Sequence, residues 1–455
     1  MKRSSGILLH ITSLPSPHGI GDMGPAAYQW VDFLAAGKQA YWQILPLGPV
    51  GFGNSPYAAL SAYAGNFMLL SLEKLLEEKL LLPGEIEPFG EYESRVRYEK
   101  VRRYKTQHLQ KAYARFEGNG VEMRTAYEEF LEASPWLETY VTLFSKREEC
   151  DPGFIRFREF LFARQLSALK AYANQKNVRL IGDLPMYVAE DSADRLQSPE
   201  LYDLTSGFVA GSPPDDMYPQ GQKWGNPLYR WDKHRETGYR WWIDRVKYSL
   251  KQVDVLRLDY FCGYSEFWAT NGTNGHWRRG PQHDLFNRTK QELKDLPFIA
   301  EDLGKLTPAI DNLRDSFGIY STKVIQYAFD GSEDNPYLPN NFKSNRCAIY
   351  TSTHDSDTVR GWYEQAPEYV KENARRRMNC EGRDISWDVI KFCAQTNAEL
   401  LIISNQDVLC LGREARFNTP GTVSQHNWSW RVTPQQINED MSKALAWLAE
   451  MSGRA

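Results

Sequence analysis

Acids recur in this sequence at one kind of place, at or just past the end of a short apolar run. Asp183 stands so in RLIGDLP, Asp259 in VLRLDYFCG, Glu301 and Asp302 in PFIAEDLG, and Asp355 follows CAIYTSTH. Taken singly, Asp259 reads as a loop cap held by Arg257, since a carboxylate beside an arginine is often architectural. Delivered to one rim, however, these carboxylates repel one another and lose hydration. A purely structural account needs a cation for each, and the obvious candidates are Arg257 and His354.

Three chemistries use converging carboxylates. Hard cations take oxygen ligands, but no D-x-D-x-D-G loop is present. A proton-sharing dyad of the aspartic-protease type needs two symmetric Asp loops, which are absent. Glycoside chemistry needs one carboxylate as nucleophile and one as acid/base. On that reading Asp259, beside Arg257, stays ionised and can attack an anomeric carbon. Glu301 leaves an apolar strand, where desolvation and the neighbouring Asp302 raise its pKa enough for it to donate a proton. Asp355, with His354, can hold sugar hydroxyls and stabilise the positive charge that develops on the ring.

The aromatic content points the same way. The chain has 14 Trp, 25 Tyr and 21 Phe, and many sit beside Gly, Pro, Asn and Asp, as in GQKWGNPLYRW (Gly221–Trp231). Flat rings with a polar tip suit ligands with one apolar face and one hydroxylated edge, as sugars have. Core filling accounts for more than half of these rings.

Positioning such acids requires strands that end together. Eight short apolar runs read as buried strands: Gly6–Ile11, Ala40–Leu45, Arg179–Leu184, Val253–Asp259, Pro297–Glu301, Lys323–Tyr327, Cys347–Thr351 and Leu400–Ser404. Helical periodicity lies between most of them, as in Ala26–Ala36, Thr237–Lys251, Pro308–Asp315 and Asp357–Met378. Strand alternating with helix eight times predicts an α/β fold, a (β/α)8 barrel with its site at the strands' C-terminal ends. The expected organisation is one catalytic barrel over 1–455. A mostly helical insertion at about 67–165 separates strands two and three, and a cleft loop or lid lies at about 205–232.

Composition narrows the class. With 455 residues, 42% hydrophobic and 25% charged, the chain has the make-up of a globular protein with a large core. The net charge of −4 has no dominant basic cluster, and acids intersperse the Lys/Arg of Arg95–Lys111, so neither nucleic acid nor an anionic membrane is expected as partner. The six cysteines lack C-x-x-C spacing, which suggests neither zinc nor a disulfide framework, and no cofactor is expected. The apolar run near the N-terminus, Gly6–Ile11, is too short for a signal peptide core, and no run approaches a membrane span, so a cytoplasmic location is expected.

The motifs together resemble one family. SSGILLHITSLPSPHGIGDMG, NSPYAALSAYAGN, IGDLPMYVAEDSAD, GQKWGNPLYRW, LRLDYFCGY, IAEDLG, TSTHDSDT and REARFNTPG, spread over nearly the whole chain, are similar to those of the 4-α-glucanotransferases. These are the amylomaltases or disproportionating enzymes, retaining members of the α-amylase superfamily. WGNPLY and NSPY are specific to that family, whereas R-x-D and a strand-end Glu are shared across the superfamily. The resemblance implies Asp259 as nucleophile, Glu301 as acid/base and Asp355 as transition-state stabiliser, with Arg257 and His354 at the cleavage point. It implies sugar contacts from Ser55, Tyr57, Asp183, Gln222, Trp224 and Asn418, and a lid at Ala210–Met217. The implied substrates are maltooligosaccharides, amylose or starch, and glycogen-derived α-1,4-glucans.

The sequence departs from the family pattern R-[LI]-D-H-F-R-G, placing Tyr260 and Cys262 where it has His and Arg, and Ser356 where THDND has Asn. A lost Arg removes a fork donor and a charge near the nucleophile. The three acids survive, so activity is expected. An α-glucan hydrolase stands as an alternative because the sequence does not set the ratio of transfer to hydrolysis, and a non-catalytic glucan-binding protein because of the Tyr260 and Cys262 substitutions. Cys262 is not expected to be a nucleophile, since no His shares its motif.

Overall fold

All eight predicted strands are present in the computed structural model, which describes residues 2–116, 118, 120–214, 219–304 and 306–455. They are β1 (Ser4–Leu8), β2 (Tyr41–Gln43), β3 (Arg179–Leu184), β4 (Val255–Leu258), β5 (Phe298–Ala300), β6 (Ser321–Val324), β7 (Cys347–Tyr350) and β8 (Leu400–Ser404). Every pairing is parallel, in the order β5-β4-β3-β2-β1-β8-β7-β6. The two edge strands meet through a parallel bridge between Ile299 and Tyr320. There the Ala300 N–H donates to Tyr320 O at 2.7 Å and the Tyr320 N–H to Phe298 O at 3.2 Å. The sheet closes into the (β/α)8 barrel, and its inner strands are apolar throughout because both faces are covered.

Two strands lie upstream of their predicted positions. β1 begins at Ser4 and β6 at Ser321, because small hydroxyl residues there are buried in the ladder rather than in a preceding turn. After Val324 the chain coils into a 3-10 turn, Ile325–Ala328. The single helix expected over Asp357–Met378 is two, Val359–Gln365 and Glu368–Met378, parted at Ala366-Pro367. Proline disfavours helical geometry in the residue before it and has no N–H to continue the ladder.

Between β2 and β3 stand the helices Tyr98–Phe116, Val121–Glu132, Leu137–Arg147 and Pro152–Gln175, the last with proline in its first turn. Half of the described residues in the segment expected as a cleft loop or lid are in strands. Val209–Ser212 and Gln222–Tyr229 pair antiparallel with each other, with Tyr202–Asp203 on one side and a hairpin, Glu266–Thr270 with Gly275–Arg279, on the other. Gly211 makes the sheet possible, since a Cβ there would lie 2.1 Å from Gln222 O. Asp215, Asp216 and Met217 of the expected lid lie outside the described residues. Among the described residues no helix is long and apolar enough to cross a membrane.

The seam where β5 meets β6 has the least backbone pairing of the barrel, and a buried ion pair reinforces it. Asp302, just past β5, accepts from Arg314 Nη1 at 2.6 Å and from the Thr322 N–H of β6 at 2.7 Å. The Thr322 hydroxyl closes the loop on Ala300 O at 2.7 Å. Arg314 was not among the anticipated counter-charges, because its helix must fold back before it faces the rim. Arg314→Met would leave the Asp302 carboxyl buried and unpaired. The expected loss of stability is about 3–5 kcal/mol, read as a lower denaturation midpoint by circular dichroism, with no change in the denaturant dependence.

Candidate active site

The rim of the barrel is assembled around one guanidinium. Arg257 and Asp259 are two residues apart on one strand direction, so their side chains leave the same face. Arg257 Nη1 donates to both oxygens of Asp183 on β3, at 3.0 and 2.8 Å, and to Asp259 Oδ1 at 3.2 Å. The side chains of Asp183 and Arg257 are 0% and 6% exposed, whereas that of Asp259 is 27% exposed and so open to a ligand. Asp259 itself prolongs the ladder, its N–H donating to Leu184 O at 3.1 Å.

The next residue turns the chain. Tyr260 has φ +49°, the left-handed region that non-glycine residues enter at some cost. That turn aims the Tyr260 N–H at Glu301 Oε2, 2.9 Å away, while the Phe261 N–H bonds Glu301 O, also at 2.9 Å. The Leu303 N–H approaches the other carboxyl oxygen at 3.3 Å. Glu301 is thus fixed by backbone on both sides.

Asp355 comes from the loop after β7. Its Oδ1 accepts from Asn418 Nδ2 at 2.7 Å, its Oδ2 lies 3.2 Å from His354 Nε2, and its carbonyl accepts from Arg416 Nη2 at 2.7 Å. Tyr57 joins the two halves of the rim. Its hydroxyl donates to Asp183 Oδ2 at 2.8 Å, and its ring stacks on His354 with centroids 5.1 Å apart.

These surroundings split the carboxyls by proton affinity. Burial pushes Asp259 up to about 6, with Arg257 opposing and Asp183 and Asp355 adding to the rise. Arg257 restrains it less than anticipated because two of the guanidinium's three contacts go to Asp183. Glu301 is pushed up to about 8, by burial first; Arg257 opposes, and Asp259 adds more than the adjacent Asp302 does. Asp302 contributes little because it faces Arg314. Asp355 runs the other way. Burial would raise it, but His354 and Asn418 hold it down at about 2. Near neutral pH one acid is protonated beside two that are ionised, the separation acid/base catalysis needs.

Of the residues singled out in the sequence, Asp183, Arg257, Asp259, Glu301, His354, Asp355, Tyr57 and Asn418 are joined by these contacts. Trp224 reaches them through Tyr260, the two rings meeting edge to face at 5.0 Å, and Gln222 accepts the Trp224 indole N–H at 3.1 Å. Ser55 stands apart, its hydroxyl accepting the Tyr57 N–H at 3.2 Å. Sequence reasoning missed Arg416, Trp428 and Asp407. Trp428 tilts against both Tyr57 and His354. Asp407 accepts from the hydroxyls of Thr351 and Ser352 at 2.6 and 2.5 Å and from the Val359 N–H at 2.7 Å, bracketing the Asp355 loop. Asp407 lies three residues past the eighth apolar run, a signal of the kind used for the other acids; Trp428 carries none.

One further group could invite a cation. Ligand atoms of His18, Asp22 and Glu73 lie within 4.8 Å of one another. Lys105 Nζ already bonds Asp22 Oδ2 at 2.7 Å and supplies the positive charge there.

The profile of 4-alpha-glucanotransferases matches residues 9–150 and 141–436. The 4-alpha-glucanotransferase of Synechocystis is 39% identical, covering 100% of this chain and 98% of that one, and the one of Thermus thermophilus is 36% identical, covering 100% and 99%. The chain belongs to the 4-alpha-glucanotransferase family. The amylomaltase from Streptococcus agalactiae, solved with acarbose, superposes with a TM-score of 0.95 at 31% identity over 100% of both chains. Membership makes the protein a retaining enzyme that transfers α-glucan segments.

Against the family pattern, the three departures have visible places. Ser356 closes its turn by accepting the Thr353 N–H at 2.9 Å. Tyr260 extends the Trp224 wall. The Cys262 thiol lies 4.0 Å from Leu303 O, and burial together with Glu301 and Asp302 pushes its pKa up. A thiol so held is a poor nucleophile. Cys262→Ala is therefore expected to keep kcat within about threefold of the parent, near the small effect of one buried CH2-sized change, measured as glucose release from maltotriose.

Proposed function

We propose that this member of the family works by double displacement on α-1,4-glucans, with Asp259 as nucleophile, Glu301 as acid/base and Asp355 as the stabiliser of the oxocarbenium-like charge. What carries the reading is the pairing of an ionised, partly open Asp259 with a Glu301 pushed up to about 8 within one hydrogen-bonded turn. Asp259 attacks the anomeric carbon while Glu301 gives its proton to the departing glycosidic oxygen. Glu301, now ionised, takes the proton of an acceptor's 4-hydroxyl, and that oxygen displaces Asp259 to restore the α-linkage.

Arg257, His354, Tyr57 and Asn418 hold the sugar at the cleavage point, and Asp183, expected as a further sugar contact but enclosed here, fixes Arg257 and Tyr57 in place. Trp224, backed by Gln222 and edged by Tyr260, offers a ring face to a bound glucose unit. Ser55 shapes the Tyr57 loop and can reach a sugar further from the acids. Donors and acceptors are maltooligosaccharides and longer glucans of the amylose, starch or glycogen type, handled in the cytoplasm without a metal. In this reading residues 1–455 form one catalytic barrel, with 67–165 and 205–232 as its insertions. Aromatic walls that exclude water favour an acceptor sugar over hydrolysis.

Maltotriose separates the readings. A transferase yields glucose together with maltopentaose and other chains longer than maltotriose; glucose and maltose alone would make the protein a hydrolase. Asp259→Asn is expected to abolish both. A parent that binds the glucan and forms no product, with Asp259→Asn indistinguishable from it, would make the chain a binding protein.

The pH profile tests the division of labour. Activity requires Asp259 ionised, so kcat/KM rises through about pH 6. It requires Glu301 protonated, so kcat/KM falls through about pH 8. The two limbs belong to the coupled pair. Glu301→Gln is expected to remove the alkaline limb and to lower kcat roughly 10²–10⁴-fold; an alkaline limb that survives would assign it elsewhere.

A further inference from the structure

The loop that carries Tyr57 is held from outside the barrel. Two side chains, one on a helix of the β2–β3 segment and one on a helix after β3, reach into it and take its backbone N–H groups, and a third holds the helix start just beyond it. Glu159 Oε2 accepts from Gly65 at 2.8 Å, Asp194 Oδ2 from Ala62 at 2.7 Å, and Gln165 Oε1 from Ser71, past the loop, at 2.7 Å. All three are buried, at 3%, 5% and 4% exposure. The Ala193 N–H returns a bond to Leu60 O at 2.9 Å.

The same loop shares a small core of its own with these helices. Leu60 and Ala64 pack with Leu137, Tyr140, Phe144 and Ile155, separately from the barrel core. Tyr63 stacks on Trp136 with centroids 5.8 Å apart. Gly65 lies so close to the helix that a Cβ would sit 2.2 Å from the Phe162 ring. The helical segment grips the loop by apolar contact and by backbone hydrogen bonds at once.

Glu159 is an expensive way to do this. A buried carboxyl is disfavoured when ionised, and burial pushes Glu159 up to about 8 against the Gly65 N–H and Arg158. Arg158 does not neutralise it directly, since its Nη1 donates to Glu148 Oε2 at 2.8 Å. An apolar residue would pack as well but would orphan the Gly65 N–H. The acceptor oxygen, not the charge, is what the site uses.

We infer that Glu159 and Asp194 are positioning residues for glucan transfer: they hold the 55–66 backbone so that Tyr57 meets Asp183 and His354. The helices between β2 and β3 are then a clamp on the cleavage point. The inference rests on the proposed role of Tyr57 in binding sugar.

Two measurements on the full-length protein separate the tether from that role. In Glu159→Leu, hydrogen exchange of the 52–66 peptide should accelerate, with peptides of β1 and β8 unchanged, and KM for maltotriose should rise by roughly fivefold, the scale of one lost buried hydrogen bond. Glu159→Gln, which keeps the acceptor oxygen and the shape of the neutral acid, should restore both to within twofold. In a Tyr57→Phe background, Glu159→Leu should change KM little, because its effect passes through Tyr57. Asp194→Ala against Asp194→Asn repeats the comparison on Ala62 if Glu159→Leu does not fold.

Unchanged exchange over 52–66 in Glu159→Leu would overturn the tether, whatever Tyr57 does. Fast exchange with an unaltered KM, or a KM effect fully additive with Tyr57→Phe, would overturn the link from tether to reaction. A Glu159→Gln variant as impaired as Glu159→Leu would show that the acceptor oxygen is not what matters, and would also overturn it.

Discussion

One positive charge governs the rim of this barrel. Arg257 is nearly fully buried and divides its guanidinium between Asp183 and Asp259. With Asp355 ionised as well, a fully ionised Glu301 would add a fourth negative charge around one buried arginine. Like charges in a poorly solvated site do not all ionise together, and the proton stays on the desolvated carboxyl that is least compensated. That carboxyl is Glu301. The proposed acid/base role of Glu301 therefore rests on charge balance as much as on the position of any single residue, and Asp183 matters by drawing Arg257 away from Asp259.

The remaining architecture serves to keep that balance rigid. The barrel strands deliver the acids, but backbone made by the turns sets their orientation. The left-handed Tyr260 presents its N–H to Glu301, and Asp407 brackets the loop of Asp355. The antiparallel sheet and the helices between β2 and β3 add the walls and grip the Tyr57 loop. A site on loops needs such supporting contacts if its groups are to stay within reach of reacting atoms. The Asp302–Arg314 pair does for the β5–β6 seam what the ladder does elsewhere.

How much of this was legible in the sequence follows from which interactions are local. Strands buried on both faces are continuous apolar runs, so all eight could be read, and acids at their ends could be read with them. Ser4, Ser321 and Thr322 misled the boundaries because hydroxyl residues buried in a ladder look like turn residues. The antiparallel sheet was illegible because its strands are short, polar on one side and interrupted by Gly211, Gly225 and Pro227. Arg314 and Trp428 could not be anticipated at all, since each acquires its role only when distant segments meet. Cys262, suspicious as a change beside the proposed nucleophile, proves to be a packed thiol facing a carbonyl.

The central claim is that Asp259 becomes covalently bonded to the anomeric carbon. A fluorinated maltosyl fluoride, which slows loss of the glycosyl-enzyme more than its formation, tests this when the treated protein is digested and its peptides are weighed. The expected result is one glycosyl mass on the peptide containing Asp259, absent in Asp259→Asn. A label on Glu301 or Asp355 instead, or full turnover with no labelled peptide, would contradict it.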